Sequence, residues 1–298
     1  MNQSNANPTP AQGMSKKRSQ IHSIWLRFQK NKLAMLGLIM LILLILLALC
    51  APLLADYEND AIKQNMSERL QSPNANHPFG TDQYGRDLFA RVIHGARISL
   101  LIGTLSVFIS LLCGSVIGSV AGYYGGRVDD ILMRLMDVLL SIPSILMALC
   151  IVAALGASLP TLIAALTISS IPGFSRIVRS AILSIKGQEY IESAKAYGTN
   201  DAKIILKHIL PNAIGPIIVQ ATLNLGSLIL ITASLSFIGL GVQPPMPEWG
   251  TILSESRNQM RYYPYLVIIP GLAIVYTVFA FNLIGDGLRD ALDPRLKN

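Results

Sequence analysis

The chain has 298 residues, of which 52% are hydrophobic and only 14% are charged, and its mean hydropathy is +0.49. A soluble domain carries about 25% charged residues, so too few charges remain to cover a water-facing surface. The formal net charge of +7 could suggest nucleic acid, but the basic residues stand between long uncharged stretches and form no single stripe. These features exclude a soluble or nucleic-acid-binding protein and predict one that spans a lipid bilayer.

Six segments are long and apolar enough to cross the hydrocarbon layer, which takes about 20 residues of helix. They cover residues 33–55, 98–126, the two halves of 138–175, about 213–238, and 262–285. The stretch 138–175 is too long for one crossing, and the turn signal Gly156-Ala-Ser-Leu-Pro160 divides it into two spans. The sequence therefore predicts an all-α, polytopic membrane protein with six transmembrane helices.

The basic residues are unevenly divided between the two sides of this bundle. Seventeen of the 24 Lys and Arg residues fall on the side that holds both chain ends. Because cytoplasmic loops carry an excess of Lys and Arg, we expect both termini to be cytoplasmic.

The topology divides the chain into five parts. Residues 1–32 are polar and basic, and they predict a disordered cytoplasmic tail. Segment 33–55 is an anchor, since its apolar run exceeds the roughly 7–15 residues of a cleaved signal. The other parts are an extracellular or periplasmic segment at 56–97, a core domain at 98–287 and a cytoplasmic tail at 288–298.

Small and polar residues recur within the predicted spans. In the second span, Ser106, Ser110, Gly114, Gly118 and Gly122 follow one another every four residues. This stripe either lets another helix approach closely or lines a path, and helix packing is the favoured interpretation. Candidates to line a path lie in the last two spans: Asn224, Ser227, Thr232, Ser234, Ser236 and Asn282.

The spans hold no Asp, Glu, Lys or Arg clearly within them. Ion-coupled carriers place such groups there, so a secondary transporter is disfavoured. A membrane-embedded enzyme would need converging acid, base or metal groups, and the four histidines and three cysteines are too scattered to form a catalytic or metal site. A phosphate-binding loop needs a Gly-Lys pair, which the sequence lacks. We therefore expect no ATP hydrolysis by this chain and no bound cofactor.

The most informative segment is the predicted cytoplasmic loop 176–212, which is far longer than a connector of a few residues. Two short helices are predicted at 188–197 and 201–208, and Gly198 can adopt the left-handed turn that ends the first. Pro211 is expected to stop the second helix before the fifth span begins.

These two helices, residues 188–211, form what we call the elbow. Asn200 or Asp201 can cap its second helix. Its first helix leaves Glu189, Glu192, Lys195 and Tyr197 available to a partner.

Three pieces of the elbow, Glu192-Ser-Ala194, Gly198 and Leu210-Pro211, fall at the spacing of the EAA loop of ABC importer permeases. That loop has Glu-Ala-Ala, then Gly after three residues, then Ile-x-Leu-Pro after nine more. The elbow resembles it with two departures, since Ser193 replaces the middle alanine and His208 takes the place of the isoleucine. Both changes are small or compatible with a helix.

The resemblance extends over almost the whole chain beyond the tail. Segments at 77–87, 95–99, 235–245 and 281–294 are similar to the second of the two paired permease subunits in the dipeptide/oligopeptide/nickel family. This resemblance implies a type I ABC importer permease fold in the bacterial cytoplasmic (inner) membrane.

The resemblance also implies partners. The chain would pair with a homologous permease subunit, with the translocation path between them, in a lipid bilayer. Two cytoplasmic ABC ATPase subunits would bind the ATP and grip the elbows, and an extracellular or periplasmic solute-binding protein would deliver the solute. The coupling positions carried over, with their exposed neighbours, are Glu189, Glu192, Ser193, Ala194, Tyr197, Gly198, Leu210 and Pro211.

The solute is implied by the family alone. Di- or oligopeptides are expected because they dominate it, and nickel or another metal chelate is the alternative within the same family. A secondary carrier or channel is the alternative from another class.

Overall fold

The computed structural model describes residues 20–292, and within that range the regular elements are helices, as the all-α prediction requires. Their bounds are α1 Gln20–Lys30, α2 Lys32–Leu54, α3 Leu88–Tyr124, α4 Gly126–Leu140, α5 Ser144–Leu155, α6 Leu159–Ile185, α7 Glu189–Ala196, α8 Asp201–Lys203, α9 Leu210–Phe237, α10 Trp249–Ser256 and α11 Tyr265–Leu292. Tyr57–Ile62 and Ile204–Ile209 form π-helical turns, and Met66–Glu68 and Arg257–Gln259 form 3₁₀ turns.

Five helices among the described residues are long and apolar enough to cross a membrane. They are α2, α3, α6, α11 and the continuous helix Asp201–Phe237. The pair α4 and α5 makes a sixth candidate, bent by 81°. The predicted count of six spans is thus met when the bent pair crosses as one unit.

The third span differs from the expected single helix starting at residue 138. Helix α4 ends at Leu140 and α5 begins at Ser144, just after Pro143. A proline ring disfavours the helical conformation in the residue before it, so the chain breaks there. Helix α5 has only 12 residues, which is shorter than a full crossing.

The amino-terminal parts also differ from expectation. The tail expected to be disordered through residue 32 contains α1, an amphipathic helix whose Phe28 packs with Ala34, Ile284 and Ala291. Burial of this apolar face stabilises the helix. The rest of the predicted tail, residues 1–19, lies outside the described residues, as do 293–298.

Helix α3 begins at Leu88, ten residues before the expected start of the second span. The Asp87 carboxylate caps it by accepting a hydrogen bond from the Ala90 amide at 2.8 Å. Arg91, which the hydropathy pattern kept out of the span, lies buried in the first turn. At the other terminus, α11 continues to Leu292, past the expected end at 285.

The centre of the bundle is the contact between α3 and α6, which run parallel. The small-residue stripe of α3 is buried against α6, as the packing interpretation predicted. A Cβ at Gly114 would lie 2.5 Å from the Cβ of Phe174, and one at Gly118 would overlap the Ser175 carbonyl oxygen. The two backbones can approach this closely only because the stripe lacks side chains.

The described chain ends lie near the root of the elbow. Arg27 of α1, Pro211 of α9 and Leu292 of α11 line one cleft of about 530 Å³. We call this end of the bundle the elbow end. The segment 55–87 between α2 and α3, with α10, lies at the opposite, far end.

The α3–α6 contact yields a stability prediction. Replacing Gly118 by Ala should lower the stability by about 1–3 kcal/mol, because overpacking forces the backbones apart. Gly173 on α6 is the matched control, since a Cβ there meets nothing within 4 Å. Gly173→Ala should leave stability unchanged or raise it by about 0.5–1 kcal/mol. Thermal unfolding of the purified protein in detergent measures both, and equal midpoints would contradict the packing assignment.

Candidate coupling site and translocation face

The turn of the elbow lies where the sequence predicted it. Gly198 has a φ of +71°, in the left-handed region that glycine adopts without a steric penalty. Its amide donates to the Lys195 carbonyl at 2.9 Å, and the Thr199 amide donates to the Ala194 carbonyl at 3.1 Å. Of the two predicted caps, Asn200 serves, with its Oδ1 accepting from the Ala202 amide at 2.9 Å.

Pro211 does not end the second helix of the elbow, contrary to expectation. The chain runs from Asp201 through π-helical turns at Ile204–Ile209 directly into α9. A proline ring in a regular helix clashes with the carbonyl four residues earlier. The wider π turns place the preceding carbonyls differently, so the helix continues past the proline and joins the elbow rigidly to α9.

One face of the elbow is anchored in the bundle by isoleucines. Ile191, Ile204 and Ile209 have no exposed surface, and they cluster with Val178 and Ile182 of α6. Ala194 and Leu210 are half-buried. The other coupling candidates form the exposed face: Glu189, Glu192, Ser193, Tyr197, Gly198 and Pro211. The Tyr197 side chain is 89% exposed, although it is large and partly apolar.

The elbow and the residues just before it also contact the corner between α3 and α4, and the sequence analysis did not predict these contacts. The Tyr123 hydroxyl donates to Asp201 Oδ1 at 2.6 Å, and Lys195 Nζ lies 4.7 Å from the centre of the Tyr123 ring. Lys186 Nζ donates to the Gly122 carbonyl at 2.9 Å. These partners lie more than 60 residues apart in sequence, so no local pattern could reveal them.

The candidate path residues divide by exposure. Ser227 and Asn282 are exposed, and Asn224 and Ser234 are half-buried. The Asn282 amide oxygen lies beside Gly226, 3.5 Å from the position that a Cβ would take. Asn224 and Ser227 of α9 and Asn282 of α11 are therefore candidates that keep an uncharged polar side chain exposed or half-buried.

Thr232 is only 1% exposed, and its hydroxyl donates to the Leu228 carbonyl at 2.7 Å. Ser236 is likewise buried. In this structure neither side chain reaches the surface at which a path between this subunit and another would run. Polarity in sequence marked them, but threonine and serine can satisfy their hydroxyls on their own helix.

A buried ionic cluster holds the far end together, and the sequence analysis did not identify it. Arg91 binds Asp82 at 2.6 Å and Glu255 at 2.6 Å, and Arg86 binds the same carboxylates at 2.7 and 3.0 Å. Both arginine side chains are 1% exposed. The cluster joins the far-end segment, the first turn of α3 and α10.

Two further contacts extend this junction. Trp249 of α10 is buried and donates its indole N–H to the Val92 carbonyl at 3.0 Å. Tyr57 lies edge-on against His94, with ring centres 5.2 Å apart. Burial raises the pKa of the Tyr57 hydroxyl, and the nearby Arg91 acts in the opposite direction.

Solved structures with a similar fold are ABC transporter subunits. A chain from the inward-facing MetNI methionine ABC transporter aligns with a TM-score of 0.57, covering 68% of this chain and 97% of that one at 20% identity. A chain from an amino acid ABC transporter with histidines aligns at 0.53, covering 67% and 94% at 18% identity. At such identities the likeness shows the fold.

Fold, spans and relatives together define a permease subunit of an ABC importer, a multi-pass protein of the bacterial inner membrane. Residues 114–298 match the binding-protein-dependent transport system inner membrane component, and 19–73 match the N-terminal TM domain of oligopeptide transport permease C. The chain belongs to this family of binding-protein-dependent inner membrane components.

Its curated relatives include a dipeptide transport system permease protein of Alkalihalophilus pseudofirmus, 48% identical over 91% of this chain and 89% of the relative. A glutathione transport system permease protein of Pectobacterium atrosepticum is 45% identical over 94% of this chain and 93% of the relative.

The ionic cluster predicts how strongly the far end depends on one carboxylate. Asp82→Asn should lower the stability by about 3–5 kcal/mol, because two buried guanidinium groups lose a charged partner. Glu58→Gln is the matched control, since Glu58 is exposed in the same segment and its loss should cost about 0.5 kcal/mol or less. Thermal midpoints and protease cleavage within 56–87 measure the effect. Equal behaviour of the two variants would contradict the role of the cluster.

Proposed function

We propose that this chain is a transmembrane subunit of an ATP-driven, binding-protein-dependent importer of di- or oligopeptides. The support for a peptide substrate is that its relatives are named as dipeptide and glutathione permeases, and glutathione is itself a small peptide. The uncharged polar side chains Asn224, Ser227 and Asn282 suit such solutes, since amide and hydroxyl groups can hydrogen-bond a peptide backbone without selecting one charge.

The observation that carries the coupling proposal is the two-sided elbow. Its isoleucine face is fully buried in the bundle, while Glu192, Ser193 and Tyr197 stand exposed on the opposite face. A short helix fixed on one side and open on the other can receive a partner and pass its displacement into the spans. We assign this face to an ABC ATPase subunit, which binds and hydrolyses the ATP.

The proposed orientation places the elbow end in the cytoplasm. Both described chain ends lie near the elbow root, and the predicted loops on this side hold most of the Lys and Arg residues, as the positive-inside rule requires. Both termini are then cytoplasmic, and the far end faces the solute-binding protein.

The translocation path lies, in this proposal, between this chain and a homologous permease subunit. Asn224, Ser227 and Asn282 would contribute to it, because these polar side chains of α9 and α11 are exposed or half-buried. Closure of the two ATPases on ATP would displace both elbows and rock the paired bundles between inward-open and outward-open states. The chain binds no cofactor of its own in this scheme.

Two elbow variants test the coupling assignment. Glu192→Lys should reduce peptide uptake by more than about tenfold, because it reverses a charge in the proposed interface. Gly198→Val should also reduce uptake, since the left-handed turn costs about 1–2 kcal/mol for a residue with a side chain. Gly187→Val is the control, as a Cβ at Gly187 meets nothing within 4 Å and its φ is not left-handed.

The measurement is ATP-dependent uptake of a labelled dipeptide by proteoliposomes that contain the assembled transporter and its binding protein, together with copurification of the ATPase. Wild-type uptake by Glu192→Lys would contradict the assignment of the elbow. Transport by the purified chain alone, without nucleotide or partners, would contradict the proposed function.

A further inference from the structure

The corner between α3 and α4, Gly122-Tyr-Tyr-Gly-Gly126, contacts the elbow through Tyr123. Tyr123 is buried there, with 7% of its surface exposed. Its hydroxyl binds Asp201 at 2.6 Å, and its ring lies under the Lys195 ammonium at 4.7 Å. Lys195 belongs to the first helix of the elbow and Asp201 to the second. One side chain therefore contacts both arms of the elbow, across their turn.

The entry to the elbow is attached to the same corner. Lys186, which follows α6, donates to the Gly122 carbonyl at 2.9 Å. Gly122 itself packs against Ile182, which lies 3.1 Å from the position of a glycine Cβ. The corner and the elbow are thus joined by two charge-assisted hydrogen bonds and a cation–π contact, which are stronger than neutral contacts.

The backbone at the corner is also conformationally permissive. Gly125 and Gly126 have φ values of +69° and +53°, and a Cβ at Gly126 meets nothing within 4 Å. Two successive glycines in the left-handed region restrict the backbone little. The backbone at the corner therefore does little to fix the direction of α4 relative to α3, and side-chain contacts have to fix it.

After this corner, α4 is held against α6 by a bidentate ion pair. Arg179 Nε lies 2.5 Å from Asp129 Oδ1, and Arg179 Nη2 lies 2.6 Å from Asp129 Oδ2. The Asp129 side chain is only 13% exposed. A bidentate arginine–carboxylate pair fixes direction as well as distance, so α4 has to follow a movement of α6.

We propose that Tyr123 is a coupling residue of the transporter, and that the Arg179–Asp129 pair extends its action to α4. This inference rests on the proposed role of the elbow. When the ATPase displaces the elbow, Tyr123 carries the displacement to the corner, and the ion pair makes α4 turn together with α6. Because α4 continues into α5 through the 81° bend, the bent pair moves together with α6.

A purely structural role for Tyr123 makes a different prediction. Removing the ring would empty part of the isoleucine cluster and lower the stability, whatever the ring transmits. Tyr123→Phe keeps the ring, the packing and the Lys195 contact, and it removes only the hydrogen bond to Asp201. A change in coupling without a change in stability therefore separates transmission from packing.

The test uses the assembled transporter in proteoliposomes with its binding protein. It measures labelled dipeptide taken up per ATP hydrolysed, copurified ATPase and the thermal midpoint. Tyr123→Phe should lower uptake per ATP by up to about tenfold, since the link between Asp201 and the corner is lost. Assembly and midpoint should stay near wild type, because Asp201 is exposed and water can replace its lost partner. Tyr124→Phe is the matched control, because Tyr124 is the neighbouring tyrosine and is 56% exposed; it should behave as wild type.

A second pair of variants tests the extension to α4. Asp129→Asn should lower uptake per ATP, while Asp129→Glu, which keeps the carboxylate, should restore part of it. The control is Asp137→Asn, which breaks the neighbouring pair with Arg176, where both side chains are more than half exposed. Tyr123→Phe combined with Asp201→Ala should lower uptake no further than Tyr123→Phe alone, because the two residues form one contact.

The outcomes separate this inference from the proposed function. If Glu192→Lys and Gly198→Val abolish uptake while Tyr123→Phe and Asp129→Asn keep wild-type uptake per ATP, the elbow couples and the Tyr123 relay is wrong. A lowered midpoint or lost ATPase in Tyr123→Phe would show a structural role and also overturn the relay. If all four variants transport normally, the elbow itself is not the coupling site.

Discussion

The structure depends on the contact between α3 and α6, where glycines of α3 let the backbone and side chains of α6 approach the α3 backbone directly. In lipid there is little hydrophobic gain from bringing helices together, so association relies on close packing. The glycines at 114, 118 and 122 allow that packing along about two turns of α3. Both ends of the molecule are built onto this rigid pair: α3 begins in the ionic cluster, and α6 leads into the elbow.

Charge is concentrated at those two ends, in different forms. At the far end, Arg86 and Arg91 share Asp82 and Glu255 in a buried cluster that holds three chain segments in one position. At the elbow end, the charged groups Lys186, Lys195 and Asp201 surround the α3–α4 corner, and several of them stay exposed. The first arrangement favours a fixed junction, and the second allows contacts to be remade when a partner moves.

The sequence predicted the features that depend on local chemistry. Apolar runs located the membrane helices, because a hydrocarbon layer admits few charges over about 20 residues. Gly198 and Asn200 located the elbow turn, since a left-handed glycine and an amide cap act within a few residues. The α3–α6 packing also followed from the spacing of small residues on one helix face.

Features that depend on distant partners could not be predicted in this way. The early start of α3 requires Arg91 to be neutralised by Glu255, which is 164 residues away. Pro211 was expected to stop a helix, but the π turns before it accommodate the ring. Thr232 was a candidate to line a path because it is a polar residue in a predicted span. Its hydroxyl, however, forms a hydrogen bond within its own helix. Tyr123 carries no local signal, because its role depends on Lys195 and Asp201.

The break between α4 and α5 has an implication for how the subunit is inserted and retained. Residues 140–146, at the break, are all exposed. Helix α5 rises only about 18 Å over its 12 residues, which is less than the thickness of the hydrocarbon layer, about 30 Å. Non-helical backbone at an end of α5 therefore lies within the membrane. Amide groups at such a depth need protein or water around them. In the pairing proposed above, the homologous subunit would supply that surrounding, and a copy of this chain alone would leave the amide groups facing acyl chains.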